Sequence, residues 1–467
     1  MKNKQIEAVG EQPQGLGEGL KVMEASKKAR GLGLLMLCGV SLGCPAQGED
    51  VLPPVDQLTF PTDLVFDQNR ETLFAVNSNA NRLFSSGSIQ AFDYPSIVSA
   101  AKAWRDSSSM PTGSECETDV DFPGLLVCDE SSFVLSETTT RLGNFASTIV
   151  SQQLDDGRTR LFTTVRGDPS LTWIDWNPTT ARLECSEDED GCAPEHRLSS
   201  IRNDADLGLL PPEPFGLYVD EENETVAVTD LALGTLTLAD APKNGETPLL
   251  TDSLGGFFSL GTRSAVGAFG VAGQFRGNPD NKLYVTSINE NRLQTFTVTR
   301  HGGRPILLPS EFFFLGGQLD FTETRGLAFN ESGSKLAVIN RSPPLVHVID
   351  TSFNEQRTTR NETLGQIEIC DDSSEILVRE ADGRTLAFVN CFVLGQIWAL
   401  DLDRFEVISL IDVGLGPYAM DIDEEEGLLV VGNYLENSLS FIDIDPGQIT
   451  TNRPLLKIGF SNDGEEQ

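Results

Sequence analysis

Gly416-Pro-Tyr-Ala-Met-Asp-Ile-Asp423, the turn Glu424-Glu-Glu-Gly427, Leu428-Leu-Val-Val-Gly-Asn433, Ser438-Leu-Ser-Phe-Ile-Asp-Ile444 and Leu455-Leu-Lys-Ile-Gly-Phe460 together decide the fold of this chain. Each apolar segment is short, carries branched or aromatic side chains, and is bounded by Gly, Pro, Asn or Asp. That is the pattern of strands on a half-buried pleated surface that stop at tight turns. Connections this short permit only antiparallel neighbours. The unit therefore reads as a four-stranded antiparallel meander.

The unit recurs upstream. Second strands are Leu73-Phe-Ala-Val-Asn77, Leu161-Phe-Thr-Thr164, Val226-Ala-Val-Thr229, Leu283-Tyr-Val-Thr286, Leu336-Ala-Val-Ile-Asn340 and Leu386-Ala-Phe-Val-Asn390. Third strands follow after a few polar residues, as in Ser88-Ile-Gln-Ala-Phe-Asp93, Leu171-Thr-Trp-Ile-Asp175, Leu345-Val-His-Val-Ile-Asp350 and Ile397-Trp-Ala-Leu-Asp401. Polar hairpins such as Asp155-Asp-Gly-Arg158 and Asn330-Glu-Ser-Gly333 precede them. The count is seven units. A single blade of this kind cannot bury both faces of its sheet, whereas radial stacking can.

Leu283-Tyr-Val-Thr286, Leu336-Ala-Val-Ile-Asn340 and the closing Val-Ile-Asp or Phe-Ile-Asp resemble the YVTN-type propeller repeat, a relative of WD40 and NHL blades. The resemblance covers roughly residues 58–460, is strongest in the last three units, and departs from the family in its insertions and in missing Gly-Pro blade openings. It implies an all-β, seven-bladed β-propeller of four-stranded antiparallel blades. An N-terminal signal segment precedes it, and an insertion at about 98–132, between blades 1 and 2, contains a short helix at Ile97–Trp104. The divisions expected are 1–44 signal, 45–57 linker, 58–460 propeller and 461–467 acidic tail. The ring closes either between whole blades or with help from Val55–Phe60.

Lys27, Lys28 and Arg30 precede the apolar run Gly31–Val40, and Leu42-Gly-Cys44-Pro-Ala46 follows. A basic region, a short apolar region and small residues make a secretory signal, too short to span a bilayer. Leu42-Gly43-Cys44 resembles the bacterial lipobox, which makes Cys44 a lipidation site; ordinary cleavage near Ala46 is the alternative. The expected location is the cell envelope, as an outer-membrane lipoprotein or a periplasmic or secreted protein. Beyond the signal stand Cys116, Cys128, Cys185, Cys192, Cys370 and Cys391. Three close sequence pairs in an exported chain read as disulfides 116–128, 185–192 and 370–391. No Cys-x-x-Cys occurs and only His196, His301 and His347 are present, so zinc is the poorer reading.

The net charge is −36, from 34 basic and 70 acidic residues, which sets the surface against nucleic acid and anionic lipid. No nucleophile elbow and no cofactor motif is present, and no metal-ligand set is read. The expected function is a non-catalytic envelope protein that binds or scaffolds a protein, peptide or glycan partner, with membrane contact through a lipid anchor alone. The alternatives are a lactonase-like propeller hydrolase and a metal-binding envelope protein. In propellers of this kind, first strands line the channel, and the second-to-third and fourth-to-first loops share the binding face. Repeat phase then places Arg166, Asp168, Asp230, Arg292, Arg341, Asn433, Arg325 and Tyr418 there, together with Phe60, Phe145 and Phe215. An arginine- and asparagine-lined mouth suits a carboxylate or peptide; the plainer reading is that these side chains cap turns.

Overall fold

The computed structural model describes residues 50–459, except 112–114, 136–137, 187–190, 203–206, 259–266, 275–281 and 317–322. The expected signal segment, Cys44 and residues 461–467 lie outside the described residues. The described residues form seven blades, each built on four antiparallel strands. The insertion lies within blade 1, before its fourth strand Thr140–Leu142, and not between blades 1 and 2. Blade 2 adds Arg197–Leu198 against Ser170–Asn177, and blade 7 is extended by the inserted hairpin. The first strands are Pro61–Phe66, Ala146–Gln153, Pro214–Asp220, Ala268–Gln274, Thr324–Phe329, Ile376–Ala381 and Pro417–Asp423. Each of these touches the first strand of the next blade, and the seventh touches the first, so the ring is closed.

The repeated residues of the motif explain how. The threonine near the end of a second strand reaches into the neighbouring blade. Thr164, Thr229 and Thr286 donate through Oγ1 to the carbonyls of Phe215 (2.8 Å), Phe269 (2.6 Å) and Arg325 (2.7 Å). Asparagine at the strand end holds the incoming first strand of its own blade. Asn390 Oδ1 accepts from the amides of Ser374 and Glu375 at 2.9 and 2.8 Å, and Asn77 Oδ1 accepts from Thr59 N at 2.9 Å. The aspartate that closes third strands caps the next turn, as Asp401 Oδ1 does for the amides of Asp403 and Arg404. Close blade approach also demands glycine at Gly216 and Gly326, where a Cβ would stand 2.3 Å from Phe269 O and 2.5 Å from Ser374 O.

Of the two closures expected, the ring closes between whole blades. Val55–Phe60 adds no strand. Instead the inserted segment crosses from blade 1 to blade 7. Its helix is longer than expected, Tyr94–Ser107, capped by Asp93 and turned inward along Tyr94, Ile97, Val98, Ala101 and Trp104. Beyond it, Cys116–Thr118 pairs with Leu126–Cys128, and the latter lies parallel to the outer strand of blade 7, Leu126 opposite Leu456 and Cys128 opposite Ile458. Trp104 Nε1 donates to Gly124 O at 2.8 Å, and Lys102 pairs with Glu426 of blade 7. One buried cluster joins Leu64 and Phe92 of blade 1, Ile97 and Trp104 of the helix, Leu126 and Cys128 of the hairpin, and Phe441 and Leu456 of blade 7. All three disulfides form as the sequence pairs them, at S–S distances of 1.96, 2.09 and 1.91 Å.

Candidate functional site

The site grows from one repeated slot. In six blades a bulge interrupts the pairing at the start of the first strand, and it re-aims the following side chain toward the axis. The slot holds Thr62, Ser147, Phe215, Phe269, Arg325 and Tyr418, and the corresponding position of blade 6 holds Glu375. These seven side chains ring the channel mouth. Below them a cavity of about 440 Å³ runs past Thr148, Phe215, Phe269 and Glu375 to Asn330 and Glu331. Above them an antechamber of about 190 Å³ is lined by Thr62, Ser78, Phe145, Arg166, Phe215, Phe392, Tyr418 and Tyr434.

Aromatic rings build the antechamber wall. Tyr434 stands 5.2 Å from Phe60, 6.1 Å from Phe392 and 6.2 Å from Tyr418, measured between ring centroids. Opposite, Arg166 lies 6.0 Å over Phe145 and 5.9 Å over Phe215, and exposed Arg82 lies 5.1 Å over Phe145. Arg325 sits 4.6 Å over Phe269 and pairs with Glu323.

Burial sets the protonation of the ring. It pushes the Glu375 carboxyl up to about 8, with the Asp63 charge adding to the shift and Arg325 opposing it. Asp63, one residue below the ring in blade 1, is likewise raised to about 8 by burial, although the amides of Leu64 (2.9 Å) and Ile149 (2.8 Å) donate to it. Burial raises Tyr418, with Glu375 adding to the effect, and lowers Arg325 to about 10, with Arg341 adding to it. Two carboxyl groups, a phenol and a guanidinium thus share one electrostatic pocket.

The structure brings Arg325, Arg166 and Tyr418 of the expected residues to the mouth. Arg341 stands behind Arg325, bonded to Asp372 (3.0 Å) and Glu323 (3.5 Å). The others are occupied within or beside their blades. Asp230 is buried and accepts from the amides of Glu213 (2.7 Å) and Leu233 (2.5 Å), as a turn cap. Asn433 is buried and donates to the hydroxyls of Ser438 and Ser440, both at 2.9 Å. Arg292 is buried against Phe312 and Glu290. Asp168 is exposed and holds Arg197 at 3.1 Å. Of the histidines, His347 is buried, pushed down to about 4, and lies 3.2 Å from Gln366 Nε2, while His196 stacks on Trp173 at 3.7 Å. Sequence reasoning missed Glu375, Asp63, Phe269, Phe392 and Tyr434. The signal for Glu375 and Phe269 was present, since they share the slot of Arg325 and Tyr418.

No protein-family model matches the chain, and no curated protein matches it in sequence. Among solved structures it is similar to hydrazine synthase of Kuenenia stuttgartiensis, 12% identical over 85% of this chain and 98% of that one, with a TM-score of 0.52. It is similar to the β-propeller domain of Cps50 (Swd1) from Myceliophteria thermophila, 9% identical over 83% and 98%, TM-score 0.50. It also matches the periplasmic gluconolactonase PpgL of Pseudomonas aeruginosa, 14% identical over 75% and 84%, TM-score 0.49. At such identities the first two likenesses are likenesses of fold: the seven-bladed β-propeller.

Proposed function

We propose that this chain is an exported, non-catalytic propeller of the YVTN type that binds a protein, peptide or glycan partner at the channel mouth. The observation that carries the reading is the antechamber of about 190 Å³, walled by Phe145, Phe215, Phe392, Tyr418 and Tyr434. At about 30 Å³ per water it holds roughly six waters, the room for one side chain or sugar ring. Rigid aromatic faces beside a guanidinium are the composition of binding hot spots, because they bury large area at little entropic cost. Three disulfides suit an oxidising compartment. Among the described residues no helix is long and apolar enough to cross a membrane. Export through 1–44 and attachment by a lipid on Cys44 complete the proposal.

Crosslinking in intact cells, followed by recovery of the tagged protein from the envelope fraction, tests it. A near-stoichiometric partner is expected, with recovery falling at least tenfold in Tyr434→Ser while the melting temperature holds. Recovery of the propeller alone, or equal recovery with Tyr434→Ser, overturns the reading. Incorporation of labelled fatty acid that Cys44→Ala abolishes checks the anchor.

Glu375 favours a second reading, a propeller hydrolase of the lactonase kind. A carboxyl held at about 8 inside a channel is poised to give or take a proton near neutrality. Lactone turnover that vanishes in Glu375→Gln would replace the first reading with this one.

A further inference from the structure

Tight turns are ordinarily built from small and polar residues. The turns between second and third strands of blades 2 and 5, Arg166-Gly-Asp-Pro169 and Ser342-Pro343, follow that rule. Blades 6 and 7 break it with Phe392-Val-Leu-Gly395 and Tyr434-Leu-Glu-Asn437. Val393, Leu394 and Leu435, with Leu415 in the connection between the two blades, are 52–68% exposed. Backbone bonds gather them into one shelf. Leu435 N donates to Leu415 O at 3.1 Å, Tyr434 N to Gly416 O at 2.9 Å, and Val413 N to Gly395 O at 3.0 Å. Gly416, at a φ of 66°, is held so close that a Cβ would stand 2.7 Å from Leu435 Cγ and 3.1 Å from Phe392 Cε2. The Cys370–Cys391 bridge fastens the blade 6 turn at its start. Phe392 and Tyr434, which belong to these same turns, also wall the antechamber, so the shelf and the antechamber are continuous.

On its outer side the shelf meets a groove of about 470 Å³ between the outer strands of blades 6 and 7, Glu406–Asp412 and Arg453–Ile458. Val413, two residues before Leu415, lines it together with Leu410, Leu455 and Phe122 of the inserted hairpin. The groove descends from Lys457, near the mouth end of the blade 7 strand, to Asn452 and Thr450 beyond its other end. Carboxylates prevail along this path. Asp371, beside the Cys370 bridge, and Asp412 are exposed, and among the described residues no ion pair reaches either; Asp412 accepts from Gln396 Nε2 at 2.8 Å. Asp119 and Asp121 border the groove from the hairpin. Against these four stand Arg453 and Lys457, and Lys457 is already matched by Glu436 at 2.8 Å.

We propose that the partner is a polypeptide carrying aliphatic and basic residues, which lies across this shelf and along the groove while one of its side chains enters the antechamber. This rests on the partner-binding reading and selects a polypeptide over a glycan. Val393, Leu394, Leu415 and Leu435 offer neither a ring face nor a side-chain hydrogen-bonding group to a sugar, whereas contiguous exposed apolar side chains rimmed by charge mark protein interfaces. A bilayer fits neither the shape nor the charge. A flat slab cannot meet both the mouth face and a groove that descends between two blades, and a net charge of −36 opposes anionic headgroups. The excess of carboxylates along the path sets the partner's charge as positive, which steers its approach.

The test selects a displayed library of random peptides on the full chain, counter-selects on the double variant Leu394→Ser with Leu435→Ser, and measures the affinity of the selected peptides by fluorescence anisotropy. The peptides are expected to combine aliphatic residues with lysine or arginine. They should bind the double variant about tenfold more weakly or worse, as the loss of two buried leucines requires. Asp371→Asn with Asp412→Asn should weaken them about threefold and flatten their dependence on sodium chloride. Leu364→Ser, at an exposed leucine on the outer strand of blade 5, should leave them unchanged, and melting curves confirm that all variants fold. Failure to select any peptide, acidic peptides, or equal affinity for the shelf variant overturns the proposal. Flotation with phosphatidylcholine vesicles that depends on Leu394 and Leu435, without peptide binding, also overturns it and assigns the shelf to a bilayer. If the shelf proposal fails while partner capture in cells still depends on Tyr434, the partner reading stands. Loss of that dependence as well removes both.

Discussion

Removing the Cys116–Cys128 bridge tests whether the inserted hairpin holds the ring shut. The bridge joins two strands that lie on the outer edge of blade 7, although their chain leaves from blade 1. A cross-link at a sequence separation of 12 removes unfolded-chain entropy worth about 2.8 kcal/mol on the loop-closure scale. Unfolding entropy is roughly 2 cal/mol/K per residue, so over 467 residues the cost is a fall of about 3 °C. Cys370–Cys391, at a separation of 21, is the control; it is worth about 3.3 kcal/mol on the same scale but sits wholly within the entry of blade 6. Both double alanine variants should lose a few degrees. Only Cys116→Ala with Cys128→Ala should also raise amide exchange in Arg453–Ile458 and Pro61–Phe66, because there the paired edge and the shared core of blades 1 and 7 are released. Hydrogen exchange read by mass spectrometry measures this. Unchanged protection of Arg453–Ile458 in that variant would refute the assignment of the hairpin as the closing element.

Two more outcomes follow from the mouth. Glu375 and Asp63 hold protons in the fold that the unfolded chain releases, so their contribution to stability falls as pH rises from the ordinary carboxylate range through about 8. Glu375→Gln and Asp63→Asn should therefore match the natural chain in melting temperature near pH ~4.5 and exceed it near pH ~8.5, and a pH-independent difference would contradict the assignment. Thr229→Val removes the 2.6 Å bond to Phe269 O that ties blade 3 to blade 4; a loss of about 1–2 kcal/mol is expected, since it leaves a buried carbonyl unpaired. A urea midpoint no lower than that of the natural chain would show that the contact does not stabilise the ring.

The blade count and the disulfide pairs were legible because both are local. Strand periodicity and turn residues act within a few positions, and each cysteine pair lies close in sequence, as with Cys185 and Cys192. The closing hairpin was not legible. Leu126–Cys128 is too short to announce a strand, and its partner Leu456–Ile458 lies more than 300 residues away. The helix was read three residues short at each end, because Asp93 and Ser108 act as caps only once the chain direction is known. The candidate site was half legible. Arg325, Tyr418 and Phe215 were found from phase, but Asp63 was not, since the bulge that sets its direction leaves no mark in composition.

The division between residues found and missed follows from how a repeat fold distributes its work. Positions that recur from blade to blade, the threonine and asparagine that end second strands and the aspartate that ends third strands, spend their polar atoms on bonds within and between blades, as Thr164, Thr229, Thr286, Asn390 and Asp401 do. They are the scaffold, and Asn433 and Asp230, whose polar atoms are likewise spent at the ends of second strands, looked like ligand residues only because they lie at loop ends. The ring slot is different. Its backbone geometry recurs, yet it holds Thr62, Ser147, Phe215, Phe269, Arg325, Glu375 and Tyr418, seven positions with six residue types. A slot whose geometry is fixed by neighbours and whose side chain is free to vary is where chemistry can be introduced without disturbing the fold. In this family of architectures, the residue that breaks the repeat at a conserved backbone position is therefore a better guide to the site than the residue that keeps it. By that criterion Glu375, the carboxylate in a slot otherwise held by neutral side chains and a single arginine, is the residue on which binding at the mouth should turn.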